Sequence, residues 1–280
     1  MMIADELLKL YAVGKRDFRE IHLQGENLSG VYLYEANLRG ADLNKVNLEG
    51  ANLQAANLRE SNLDGASLNQ ASLQEANLIG VSLRGASLRQ ANLTGASLRG
   101  ADLTDADLSG AKLMETNLNE VNFSRANLSE ANLSEANLSR ANLLKANLTG
   151  AFLTAANLTI AILSEAILTG ANLSNAILNT ANLRSAEMKE ANLTRAKIIG
   201  CNLMNVNLQK ANLRSANLSW TSLRAANLQG ANLYQANLSW ANLSRANLAE
   251  AILIKANLRQ VNLIEADLRR AIMPDGSTYE

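Results

Sequence analysis

The sequence predicts an all-β solenoid, a four-sided β-helix of about 13 coils opened by a short capping helix. Three observations predict it. A five-residue phrase, typically Ala-Asn-Leu-x-x, runs from Ile21 to Met273 in 51 copies without losing register. Leu fills the central position in 47 of them, the exceptions being Phe123, Met188, Ile198 and Met273. Three Phe and two Trp are too few for a layered aromatic core, so Leu and Ala must build the interior.

A period of five suits neither a helix of 3.6 residues per turn nor a long alternating strand. It suits a short extended segment followed by a corner. In Ala-Asn-Leu the first and third residues share one face and the middle one points away. The next two residues turn the chain, and Gly at the second of them (Gly30, Gly40, Gly50, Gly150, Gly170) supplies permissive backbone angles. Four segments and four corners close a coil of about 20 residues, and backbone bonds between coils set a rise near 4.8 Å.

The chain thereby resembles the pentapeptide-repeat family over about nine-tenths of its length. The opening Lys15-Arg16-Asp17-Phe18 and the ending Ile272-Met273-Pro274-Asp275-Gly276 are similar to cyanobacterial members. The resemblance implies a right-handed quadrilateral β-helix with Leu and Ala inside. The expected organisation is a capping helix in 1–15, the solenoid in 16–275 and a tail in 276–280. Within the first part, residues 2–13 read as an amphipathic helix with Ile3, Leu7, Leu8, Leu10 and Tyr11 as its apolar stripe. Asp5 and Glu6 favour its first turn and Gly14 stops it. Phe18 reads as a degenerate first core residue. The seven residues from Pro274 cannot form a matching helix, so the C-terminal coil is expected to be poorly capped and open to homodimerisation.

The 26 basic and 26 acidic residues balance, so composition implies no strongly charged partner. Single Cys201 excludes an intramolecular disulfide and sits at an Ala position as a small inward filler. No apolar run reaches the roughly 18 residues that span a bilayer, and no secretory n-region is seen, so the cytoplasm is the expected compartment. Catalysis is not expected: His22 is the only histidine, and no nucleophile–base–acid set is available. Asp102, Asp105 and Asp107 cluster, but a solvated surface is the simpler reading than a metal site. No metal, cofactor or small-molecule substrate is implied.

Function is therefore sought in departures from the phrase. The outward middle position becomes Ile162, Ile167 and Ile177 in one coil and Phe152 in the coil before, with Ile160 at a neighbouring corner. Such groups suggest a protein-binding surface, against the plain reading of β-branched residues on half-exposed strands. Trp220 and Trp240 lie twenty residues apart at one corner, where their rings can stack, either as interface anchors or as a ladder without partner. Tyr32, Tyr34 and Tyr234 share another face at separations too large for one site. Charge is uneven along the chain: net −5 through residue 183 and +7 from 184 to 273. Arg19, Arg39, Arg59 and Arg99 share an edge with interspersed acids, which favours a solvated face over an anion site.

The leading reading is a non-enzymatic protein-interaction scaffold or regulator. Resemblance to cyanobacterial members implies a regulator of a transcription factor in cell differentiation. The alternative implied by the family is a DNA mimic that inhibits or protects a type II topoisomerase, disfavoured by zero net charge and the absence of register-breaking loops. Direct nucleic-acid binding fits worst, because the basic excess is modest and lacks an aromatic platform.

Overall fold

The computed structural model describes residues 3–280, and internal packing divides the chain into two compact units, Met1–Asn142 and Leu143–Glu280. In each unit the chain winds through four short extended segments per coil. Each segment is so brief that one residue pairs, in parallel, with the residue twenty positions on: Asn37 with Asn57 in the first unit, Asn217 with Asn237 in the second. The backbone bonds repeat accordingly. Leu33 N–H donates to Asn52 O (2.7 Å) and Asn52 N–H to Val31 O (2.8 Å), and Ala36 N–H closes the corner onto Leu33 O (3.1 Å).

Side chains explain the phrase. Leu and Ala at first and third positions are buried almost without exception. The middle Asn has two tasks. Its Oδ1 accepts from the N–H two residues on, as Asn52 does from Gln54 (3.0 Å), and so shapes the corner. Its Nδ2 reaches the amide of the coil before, as Asn57 does to Asn37 Oδ1 (3.1 Å) and Asn142 to Asn122 Oδ1 (3.2 Å). Asp performs the same accepting task, as Asp102 does for Thr104 N–H (3.0 Å). Behind Ser82 and Ser87 the corner N–H groups of Arg84 and Arg89 are instead accepted by Asp64 Oδ1 (2.9 Å) and Asn69 Oδ1 (3.0 Å) of the coil before.

The second corner residue is left-handed whatever its type: Gly40 at φ 67°, but also Glu60 at 58°, Ile160 at 62° and Trp240 at 63°. The bond from that residue's N–H to the next coil, such as Glu60 to Ile79 O (3.0 Å), holds the conformation. For an L residue the left-handed region costs roughly 1–2 kcal/mol, and a β-branched one such as Ile160 is the least suited to it.

Helix α1 spans Ala4–Ala12, shorter than the sequence suggests at both ends; Met2 lies outside the described residues. It buries Ala4, Leu7 and Tyr11 rather than the whole anticipated stripe; Ile3 is exposed and Leu8 and Leu10 are only half-buried. Ala4 N–H donates to Glu26 Oε2 (3.3 Å), a carboxylate from the first coil at a helix start that has no side-chain cap of its own. At the other end Tyr11 Oη donates to Tyr34 O (2.9 Å), and Arg16 donates to Tyr11 O (3.0 Å) with its guanidinium 3.9 Å from the Tyr11 ring centre. Phe18, Leu23, Leu28 and Leu33 are all buried.

The C-terminal end, expected to be poorly capped, carries a partial cover. Pro274–Gly276 turns the chain back, and Thr278 pairs antiparallel with Ile272; Tyr279 N–H donates to Ala271 O (2.9 Å) and Arg270 N–H to Tyr279 O (2.8 Å). The hairpin covers one side of the last coil. On other sides, among the described residues, the N–H groups of Leu258 and Leu263 find no backbone partner, and both side chains are half-buried only.

Candidate functional surfaces

The interior holds little chemistry. Ser61, Thr116, Cys201 and Thr221 replace Ala at inward positions, and each donates to a carbonyl: Thr116 to Leu93 O (3.1 Å), Cys201 Sγ to Leu178 O (2.9 Å), Ser61 to Leu58 O and Thr221 to Leu218 O (both 2.6 Å). Burial pushes the Cys201 thiol up to about 12, so it stays protonated and unreactive at neutral pH. Where Met188 and Ile198 interrupt the leucine ladder, an apolar void of about 10 Å³ opens beside Leu193 and Leu203.

The three clustered aspartates do not converge. Asp102 Oδ1 accepts from Asn122 Nδ2 (3.2 Å), Asp107 Oδ1 from Asn127 Nδ2 (3.0 Å), and Asp105 takes a two-pronged ion pair from Arg125 (2.7 Å each) that holds its carboxyl below the usual range. Among the described residues no group of three His, Cys, Asp or Glu side chains could hold a metal ion. Three arginines of the edge are matched in the same way, Asp17 pairing with Arg19 (2.7 Å) and Glu60 with Arg39 and Arg59 (3.0 Å each), while Arg99 is exposed and makes no ion pair among the described residues. His22 is exposed on the first coil.

Phe152, Ile160, Ile162 and Ile167 are 41–51 % exposed, and Ile177 is half-buried. The bridge ladders place Phe152, Ile162, Ile167 and Ile177 on four different sides of the coil, paired with Asn172, Asn182, Glu187 and Lys197 in turn. They form a belt rather than one patch; only Ile160 and Ile162 adjoin, across a corner. A partner touching one side would cover about one large side chain there, worth roughly 1.5–3 kcal/mol when fully buried.

Trp220 and Trp240 stack face to face, ring centres 5.0 Å apart and planes 3° from parallel. The tyrosines sort differently from the sequence reading. Tyr32 and Tyr34 stack at 6.1 Å, and Tyr11 of α1 meets Tyr32 edge-on at 6.3 Å, so these three fasten the helix to its coil. Tyr234 lies under the Arg214 guanidinium (4.6 Å) with Lys255 at 5.9 Å. Charge counted along the chain did not reveal that grouping; charge counted by corner would have.

A family model for pentapeptide repeats matches eight copies in segments running from residue 17 to 274. The chain is similar to HetL, a pentapeptide repeat protein involved in heterocyst differentiation regulation from the cyanobacterium Nostoc sp., at 34 % identity over 100 % of both chains (TM-score 0.37). It is also similar to a pentapeptide repeat protein of the Arabidopsis thaliana thylakoid lumen, at 38 % identity over 34 % of this chain and 67 % of that one (TM-score 0.34). QnrB1, a plasmid-mediated fluoroquinolone resistance protein, is 18 % identical over 70 % of this chain and 92 % of its own (TM-score 0.39), a likeness of fold alone. A search of curated proteins finds no match.

Proposed function

This chain belongs to the pentapeptide-repeat family, whose members fold as right-handed quadrilateral β-helices and are generally non-enzymatic, and on that premise we propose that it is a regulatory protein-interaction module. The finer reading is a cytoplasmic regulator of cell differentiation that acts by contacting a transcription factor. The observation that supports it is identity to HetL across the full length of both chains. The molecule's chemistry agrees: the regular residues are consumed by stacking, and large exposed groups such as Phe152 and Trp220 remain outside as contacts.

The test is expression of the chain in Nostoc with heterocyst frequency counted. A changed frequency that persists in a Cys201→Ala variant and is lost on replacing outward apolar and aromatic residues supports the reading. An unchanged frequency, together with inhibition of gyrase supercoiling at low stoichiometry, would replace it by the topoisomerase reading.

The open side of the last coil adds a second contact, with another copy of this chain. Unpaired N–H groups of Leu258 and Leu263 beside their half-buried side chains favour edge-to-edge association. Light scattering should give a dimer for the intact chain and a monomer for Leu258→Lys/Leu263→Lys; a monomer for both removes the homodimer.

A further inference from the structure

In Leu143–Glu280 the cations are unevenly distributed around the coil. One side carries the ladder Ile177, Lys197, Asn217, Asn237, Asn257. Along one border Arg195 N–H donates to Arg214 O and Ser215 N–H to Tyr234 O (2.9 Å each). Along the other, Gly200, Trp220 and Trp240 donate to Ser219, Ser239 and Arg259 (3.0 Å each). From Arg195 to Gln260 this side and its borders hold Arg195, Lys197, Arg214, Lys255 and Arg259, all exposed, and no carboxylate. The nearest acid in register, Asp275, accepts from Ser277 in the tail hairpin (2.9 Å to N, 2.6 Å to Oγ).

Elsewhere in the unit most cations have a carboxylate partner, among them Lys145 with Glu165 (3.4 Å), Arg245 with Glu265 (2.8 Å) and Arg270 with Glu250 (3.6 Å), while Arg184, Lys210 and Arg224 stand singly at other corners. The five on this side have no ion pair among the described residues.

The tryptophan stack borders the same side and is open at one end. Gly200 precedes Trp220 in the corner column and has no side chain; a Cβ there would meet nothing nearer than Thr180 Cγ2 at 3.7 Å. Trp220 is accordingly 61 % exposed against 45 % for Trp240. A planar ring laid over Gly200 extends the stack, and Lys197 stands three residues away on the same coil. Across the middle run amide rungs, Asn237 to Asn217 (3.2 Å) and Asn257 to Asn237 (3.0 Å), suited to an extended backbone.

We propose that this side docks an acidic protein segment bearing an aromatic side chain, whose ring continues the Trp220–Trp240 stack over Gly200 while its carboxylates meet Arg195, Lys197 and Arg214. The proposal rests on the interaction-module reading and names the chemistry of its partner. A protein segment fits better than a nucleic acid. The side offers one open stacking step, not a run of them, and it spans about three coil rises near 4.8 Å each, too short to follow a phosphate backbone far.

The test is fluorescence anisotropy of the full chain with a labelled glutamate-rich octapeptide containing one central Phe, at low and physiological salt. Binding should weaken with salt. It should fall at least tenfold for Lys197→Glu/Arg214→Glu, for the same peptide with Ala in place of Phe, and for Gly200→Trp, which fills the step with a residue that this corner already accepts at Trp220. A cooperative melt well above the assay temperature for each variant keeps the comparison valid. Equal binding to all variants, no binding at low salt, or displacement of the peptide by a deoxythymidine dodecamer that binds more tightly would overturn the proposal. A chain that fails here yet still alters heterocyst frequency loses this face and keeps its wider role.

Discussion

At the first coil Leu23, Leu28 and Leu33 are fully buried against a helix that brings Leu7 and Tyr11 with it, whereas at the last coil Leu258 and Leu263 are half-buried beside a seven-residue hairpin. The residues are the same and occupy the same place in the phrase. What differs is whether something lies on the outer side of the coil. In a solenoid each repeat touches only its neighbours, so a leucine's contribution depends on having two of them. The N-terminal end supplies the missing neighbour with α1, fastened through Glu26, Tyr34 and Arg16. The C-terminal end supplies it on one side only.

The largest test of this contrast is removal of residues 1–14. Uncovering three leucines should cost about 3–5 kcal/mol and promote aggregation, read by urea denaturation and light scattering. An unchanged midpoint would show that α1 is an ornament. Next comes the paired substitution Leu28→Ala and Leu263→Ala. The first should cost about 2–5 kcal/mol as a core cavity and the second about 1 kcal/mol, because its site is already partly in water. Equal costs would mean that the last coil is covered in solution.

An interior reference comes from Cys201. Its folded value of about 12 lies above the ordinary 9.0, so the stabilisation is intact below pH 9 and is lost as pH rises through 12. At pH 10 the chain should be about 1 kcal/mol less stable than at pH 8 relative to Cys201→Ala. If Cys201→Ala responds identically to pH, the thiol is not sequestered. Smallest is truncation before Ser277, which removes three exposed backbone bonds, two at Tyr279 and one from Met273 N–H to Ser277 O, and should cost about 1 kcal/mol. A larger loss would make the hairpin a true counterpart of α1.

Much of this architecture was legible because Leu and Ala at fixed positions can only face inward. The reason for Asn was not: its two amide functions act on the corner two residues ahead and on the coil twenty residues back, and only the second coil makes the rung visible. Gly at the corners was read correctly as permissive, but inter-coil bonding imposes the same conformation on Glu60, Ile160 and Trp240. The tail hairpin was missed because seven residues look inert until the free edge at Ala271 is in place. The tryptophan stack was expected, yet its surroundings were not. Charges summed along the chain average over four sides, while the cations beside Trp220 emerge only when residues are sorted by their place within twenty.

That distinction between five and twenty has an evolutionary consequence. Gain or loss of one repeat leaves every hydrogen-bonding rule satisfied, so the fold tolerates it, but everything downstream is turned onto the neighbouring side. One duplicated phrase between Trp220 and Trp240 would part the two rings with no penalty to the interior. Four duplicated phrases would restore the alignment at a greater separation. Such a chain can redraw its surface by slippage alone, without changing a single codon's meaning.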